Sequence, residues 1–265
     1  MLKSLLSAGL LSLVLLASCS DSSKKPAEEK SSSMPIEFMT YNYDLVGHAD
    51  SIGAAADSLA NWHFKGNGVM PSKIGSHDIT LLRDSLMSLA SVTFSKDNKP
   101  SPRLEPGISL TDKNPATTPM PNGRVASLSI DLITSTLIVW ENYCFEMEAF
   151  MAHGIATTDY VNYSIADNKI LSLADIMKPG YEAPLLSMIR EELTNKEVRL
   201  IEEDGEFPLP EMFRIRATGI EFVYPTMAIA AYSEGNIRVR LSVMDLQDIL
   251  TEKGMQLILG TQGEQ

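Results

Sequence analysis

The chain has 265 residues, 44% of them hydrophobic, with 22 Lys and Arg against 34 Asp and Glu for a formal charge of −12. That is apolar material for one core or two small ones, and an acidic mean field of this kind repels phosphate-rich partners, which excludes nucleic acid. Two cysteines, Cys19 and Cys144, are too few for a disulfide framework or a four-ligand zinc site.

Lys3 precedes an apolar run from Leu5 to Leu16. The run is too short to cross a hydrocarbon layer of ~30 Å but has the length of the apolar region of an export signal. It ends Leu16-Ala17-Ser18-Cys19, which resembles a bacterial lipobox, so residues 1–18 read as a lipoprotein signal peptide and Cys19 as the lipidation site. Residues 19–34 are Ser, Lys, Glu and Asp with almost nothing to bury, the composition of a disordered tether. The tether's three acids and three bases cancel, which leaves 18 bases against 31 acids over 35–265, a net −13. No later stretch is long and apolar enough for a transmembrane helix, so the expected attachment is a lipid anchor, with the globular part extracytoplasmic. An outer membrane is the expected site.

Glu37 to Leu45 has strand character through Phe38, Tyr41 and Tyr43, and Trp62, Phe64 and Val69 predict a second strand around Gly66 and Gly68. Asp78 then caps a helix in which Ile79, Leu82, Leu86 and Leu89 recur at helical spacing. Residues 95–123 hold six prolines and two glycines without periodicity and read as a connecting loop. Beyond it Ala126, Leu128, Ile130 and Leu132 alternate with polar residues. In the next strand Val139, Tyr143, Phe145, Met147, Ala149 and Met151 share one face, and Asn142, Cys144, Glu146 and Glu148 the other. A third strand runs from about Thr157 to Ile165. Ser172 with Asp175 forms a capping-box pattern, and Pro184 fits the first turn of a helix carrying Leu186, Ile189 and Leu193 inward. A solvated acidic loop over 202–206 precedes a hairpin of Phe213, Ile215 and Ala217 with Ile220, Phe222 and Tyr224. A strand with Ile237, Val239 and Leu241 and a last helix opened by Ser242 and Asp245, with Leu246, Ile249 and Leu250 as its stripe, close the chain. The pattern predicts an α+β fold, a mostly antiparallel sheet with segregated helices, built as two small packed α+β units over 35–95 and 124–254, with 96–123 as the Pro-rich connection.

Several segments share a recognisable pattern. Met151-Ala152-His153-Gly154, Asn162-Tyr163-Ser164 and Lys169-Ile170-Leu171-Ser172-Leu173-Ala174-Asp175-Ile176 are followed by Thr218-Gly219-Ile220-Glu221-Phe222 and Ala228-Ile229-Ala230-Ala231-Tyr232-Ser233-Glu234-Gly235. Over roughly 125–252 this resembles the extracytoplasmic domain shared by lysozyme-sensing anti-sigma factors of the anti-sigma-V type and by some peptidoglycan deacetylases. Residues 35–95 are similar to the smaller domain that often precedes it. The chain departs from the pattern at Phe150 and Met151, which replace glycines, and at Ser164, Asn168 and Ala231, which replace Asp, Gly and Pro. A cytoplasmic sigma-binding segment and a membrane-spanning helix are not expected, and with them signal transduction of the anti-sigma type.

His153 before Gly154 is read as a turn histidine, with Gly154 supplying a positive φ. His48, His63 and His77 lack metal-ligand spacing, and there is no nucleophile elbow or phosphate-cradling glycine loop. Cys144 lies among Glu146 and Glu148, which raise rather than lower a thiol pKa, and reads as structural. No catalytic residue, metal or cofactor is therefore assigned. The expected function is a non-enzymatic, lipid-anchored envelope binding protein, with a lysozyme-type muramidase as the ligand the resemblance implies and an acidic surface to steer that basic protein. Candidate binding residues are Glu146, Glu148, His153, Gly154 and Tyr232. The alternatives are a peptidoglycan-contacting or envelope-assembly lipoprotein and a wall hydrolase or deacetylase using His153.

Overall fold

The computed structural model describes residues 34–50, 59–118, 121–149, 151–201 and 208–260. The signal, Cys19, nearly all of the tether and the 202–206 acidic run lie outside the described residues. In chain order the elements are β1 (Ile36–Ala49), β2 (Asn61–Ile74), α1 (Thr80–Leu89), β3 (Val92–Phe94), β4 (Pro100–Pro102), β5 (Ile108–Thr111), β6 (Asn122–Ile133), β7 (Leu137–Met147), β8 (Ile155–Ser164) and β9 (Lys169–Ile170). There follow α2 (Leu173–Ile176), α3 (Glu182–Asn195), β10 (Met212–Arg216), β11 (Gly219–Tyr224), a single 3-10 turn Tyr232–Glu234, β12 (Ile237–Ser242), α4 (Val243–Leu246) and α5 (Glu252–Gly260).

The fold is α+β, with mostly antiparallel strands. The main sheet has the order β5-β1-β2-β6-β7-β8-β9, and β10-β11-β12 form a second sheet. Within the main sheet β2 runs parallel to β6, from Trp62 opposite Asn122 to Gly68 opposite Leu128. This pairing joins the two segments expected as separate α+β units into one sheet. The segment 96–123, expected as loop, supplies β4 and also β5, which covers the outer edge of β1 by pairing Val46 with Thr111 through Ala49 with Ile108. A parallel joint needs a long crossover, and α1 with the Pro-rich segment provides it.

Two hydrophobic clusters flank the sheet. Tyr41, Tyr43, Phe64, Met70, Leu82, Leu86, Leu128, Trp140 and Tyr163 form one, beneath α1. Leu137 and Val139, the inner residues of α3, the inward face of β10–β12, and Leu257 and Ile258 of α5 form the other. The run Leu137-Ile138-Val139-Trp140 is wholly buried because its residues feed the two clusters alternately. Gly66 and Gly68 are needed for close approach: a Cβ on Gly66 would lie 2.2 Å from the Tyr43 ring, and one on Gly68 2.6 Å from the Tyr41 ring.

Three local expectations are corrected. In β7 the alternation holds, but Asn142 is 1% exposed and donates to the Leu89 carbonyl at 3.1 Å, whereas Tyr143 is 41% exposed. The cluster beneath α1 covers the Asn142 face, while the second cluster stops at Val139. The helix opened by Ser242 has its capping box but ends at Leu246, and α5 starts separately at Glu252. Between them Leu250 bridges to Met177, and the Thr251 amide and hydroxyl both donate to the Ile176 carbonyl. Gly154 is not among the positive-φ residues. Its Cβ would instead lie 2.3 Å from the Phe145 ring and 2.8 Å from the Glu146 carbonyl oxygen, so the absent side chain is what the site requires.

Candidate functional site

β7 and β8 remain paired out to Glu146 opposite Ile155, and Glu148, Ala149, His153 and Gly154 belong to the connection between them. The start of this connection is fixed to β6: the Ala149 amide donates to Asn122 Oδ1 at 2.8 Å, and the buried Asn122 amide group donates to the Leu59 and Asn61 carbonyls. Its end is fixed by the 3-10 turn. The His153 ring stacks on Tyr232 with centroids 4.3 Å apart and planes 18° apart, and the Tyr232 hydroxyl donates to the Gly154 carbonyl at 3.3 Å. Thus His153, Gly154 and Tyr232, far apart in sequence, form one corner. The imidazole is held by stacking on a ring, not by the turn hydrogen bond expected of it.

Glu146 and Glu148 lie beside that corner. Glu146, one of the candidate binding residues, is not a free charge: it accepts from Arg124 Nε at 2.7 Å, and Arg124 Nη2 also reaches Glu105 at 3.3 Å. Glu148 is exposed. The two acids, with Cys144, Met151, Ile155 and Thr157, line a hollow of about 220 Å³. Thr157 is shared with a second hollow of about 460 Å³ bounded by Asp159, Leu209, Glu211, Met212, Tyr224 and Pro225. Together they make a trough with four carboxylates, an apolar floor, and no Lys or Arg among its lining residues. Burial raises the Asp159 pKa, against the hydrogen bond from Asn142. The Cys144 thiol is also pushed up, by burial first and by Glu146 and Asp159, with Arg124 opposing. A thiol in that environment is a poor nucleophile.

The remaining histidines lie elsewhere. His63 Nε2 donates to Asp44 at 2.6 Å, and His48 Nδ1 lies 3.3 Å from Asn61 Oδ1. Among the described residues no group of three or more His, Cys, Asp or Glu is placed to hold a metal.

A second cluster escaped sequence reasoning. One face of β10–β12 carries Arg214 and Arg216, then Glu221, then Arg238 and Arg240, because each pair is two residues apart and the register sets Arg214 and Arg240 on either side of Glu221. Glu221 is 0% exposed; its carboxylate accepts from Arg214 at 2.7 Å, from Arg238 at 3.1 Å and from Arg240. Burial pushes its pKa up, but the three guanidiniums prevail and hold it below the usual range. Arg214, 8% exposed, also reaches Asp131 at 3.0 Å and Glu141 at 3.1 Å, and its guanidinium lies 4.8 Å from the Tyr160 ring centroid. Asp131 sits at the register shift between Ile130 and Leu132. The signal was the alternation of charged with apolar residues in the last three strands.

Comparison with known proteins follows these boundaries. Residues 174–243 match the family described as a protein of unknown function (DUF3298). The matched segment runs from α2 to the start of α4 and so contains the second sheet, the arginine cluster and Tyr232. A crystal structure of a DUF3298 family member from Bacteroides fragilis is similar in fold, with a TM-score of 0.60 at 16% identity over 88% of this chain and 99% of that one. A DUF3298 family protein from Pseudomonas aeruginosa gives a TM-score of 0.49 at 12% identity, over 83% and 96% of the two chains. No curated protein matches.

Proposed function

We propose that this protein is a non-enzymatic envelope protein, lipid-anchored at Cys19, whose trough between the 147–154 connection and the start of β10 binds a basic protein, with a lysozyme-type muramidase as the candidate ligand. The observation that carries the reading is the trough itself: Glu146, Glu148, Asp159 and Glu211 stand around apolar residues, and among the described residues no Lys or Arg lines it, the one cation in contact being Arg124 on Glu146. An apolar floor supplies contact energy once water is displaced, while an acidic rim, on which Glu146 alone is paired with an arginine, selects a basic partner and speeds encounter. The net −13 of residues 35–265 adds a long-range field of the same sign. Half-exposed Ile155 and Tyr232 extend the apolar surface at the corner, and the His153 stack keeps Tyr232 in place, so little side-chain freedom is lost on binding.

The test is surface plasmon resonance of residues 34–265 over immobilised lysozyme at several salt concentrations. The association rate should fall steeply as the screening length contracts from ~30 Å at 0.01 M to ~8 Å at 0.15 M. Glu148→Lys and Glu211→Lys should each slow association several-fold while leaving the thermal midpoint unchanged. Absence of binding at low salt, or binding indifferent to both charge reversals, would retire this reading.

A further inference from the structure

Of the four arginines on the charged face of the second sheet, three are committed to Glu221, and Arg216 is not. Its Nη1 is buried and, among the described residues, has no hydrogen-bond acceptor. Burying a guanidinium N–H without an acceptor is costly, and such groups usually mark a place where a ligand or solvent supplies one. Arg216 lies opposite Gly219, which lies opposite Ser242, one row along from Arg214, Glu221 and Arg240. A Cβ on Gly219 would lie 2.1 Å from the Leu241 carbonyl oxygen, so this position is held to glycine and the row has no central side chain. What remains is a hollow of about 360 Å³ lined by Arg216, Arg240, Thr218, Ser242 and Asp245 among others. Asp245 is the carboxylate facing it, and its Oδ2 already accepts from the Ser242 amide at 2.8 Å and hydroxyl at 2.7 Å. Among the described residues it makes no ion pair with either arginine. Arg240 gives only its Nε to Glu221, which leaves its terminal nitrogens for another acceptor.

We infer that this hollow is a binding site for a single oxyanion group, a carboxylate or phosphate carried on a small ligand, held by Arg216 and Arg240 with the Thr218 hydroxyl as a further donor. A planar guanidinium presents paired donors that match two oxygens of such a group, and an anion here would complete the charge pairing that Glu221 completes one row away. The site uses none of the trough residues and does not rest on the proposed partner.

The experiment is an amide and arginine-side-chain NMR titration of residues 34–265 with inorganic phosphate and, separately, with acetate, in low-chloride buffer. Saturable shifts confined to Arg216, Thr218, Gly219, Arg240 and Ser242 are expected with at least one of the two, and the stronger responder identifies the group. Arg216→Gln should weaken that binding about tenfold, the loss of one charge-assisted contact. Thr218→Val should weaken it less, and Arg216→Lys should partly restore it. No saturable shift with either anion, or shifts that Arg216→Gln leaves unchanged, would overturn the assignment.

Discussion

Replacing Glu221 with Gln keeps the side chain's size and removes its charge. The carboxylate is 0% exposed and holds Arg214, Arg238 and Arg240. Removing one partner of a buried ion pair costs about 3–5 kcal/mol, chiefly because the other charge is left without compensation. Here Arg214 would keep Asp131 and Glu141, Arg238 would keep the Tyr160 hydroxyl, and Arg240, 67% exposed at its side chain, would turn to water. The loss should therefore lie at the lower end, about 3 kcal/mol, which for a protein of this size lowers the melting temperature by about 6–12 °C. Arg240→Gln provides the contrast and should cost under about 1 kcal/mol, since it removes an exposed charge. The carboxyl's folded pKa is depressed, so its contribution is complete above the ordinary value of 4.5 and is lost as pH falls through the folded value. Glu221→Gln should accordingly flatten the acid side of the stability profile. Thermal and urea unfolding followed by circular dichroism measure both effects. A Glu221→Gln protein within about 1 kcal/mol of the parent, or an Arg240→Gln protein equally destabilised, would refute this account.

Gly154→Ala should destabilise by about 2 kcal/mol, because one contact of the added Cβ is the backbone oxygen of Glu146 and cannot yield without opening the β7–β8 pairing. Gly123→Ala, whose nearest neighbour would be 3.5 Å away, should shift the urea midpoint by an amount equivalent to under about 0.5 kcal/mol. At Asp175 burial raises the pKa, but Lys169 and Ser172 prevail and hold it at about 2. Its stabilisation should be complete above the ordinary value of 3.8 and lost between there and about 2, and Asp175→Asn should remove that dependence while costing about 1 kcal/mol at neutral pH through the broken capping box. Cys19→Ala, motivated by the Leu16-Ala17-Ser18-Cys19 sequence, should abolish incorporation of labelled fatty acid in a bacterial host; equal labelling would rule out Cys19 as the acylated residue.

Elements that satisfy themselves locally were legible in the sequence. The Ser172 and Ser242 capping boxes are both formed, and the pairing of Phe213 with Phe222 and Ile215 with Ile220 follows the alternation of those two strands, whereas at α1 the cap position is Ile79 and Asp78, one residue earlier, accepts from the Thr80 amide. The first two strands and α1 fall where periodicity put them, because one turn or one pleat fixes which residues share a face. What covers a face is a different question, answered by chain distant in sequence. Asn142 is buried because Leu89 reaches it, and Tyr143 is exposed because the second cluster ends at Val139. The union of the two halves rests on a parallel β2–β6 pairing of residues sixty apart in the sequence, such as Trp62 with Asn122, which no local pattern encodes. The corner formed by His153, Gly154 and Tyr232 shows both limits: the motif resemblance selected the residues, but the stacking that joins them, and the register that gathers three arginines on Glu221, exist only once the strands are side by side. Short-range sterics and hydrogen bonding act within a few residues and leave their mark on sequence, whereas burial and charge pairing depend on which surfaces meet, and that was decided by the tertiary structure.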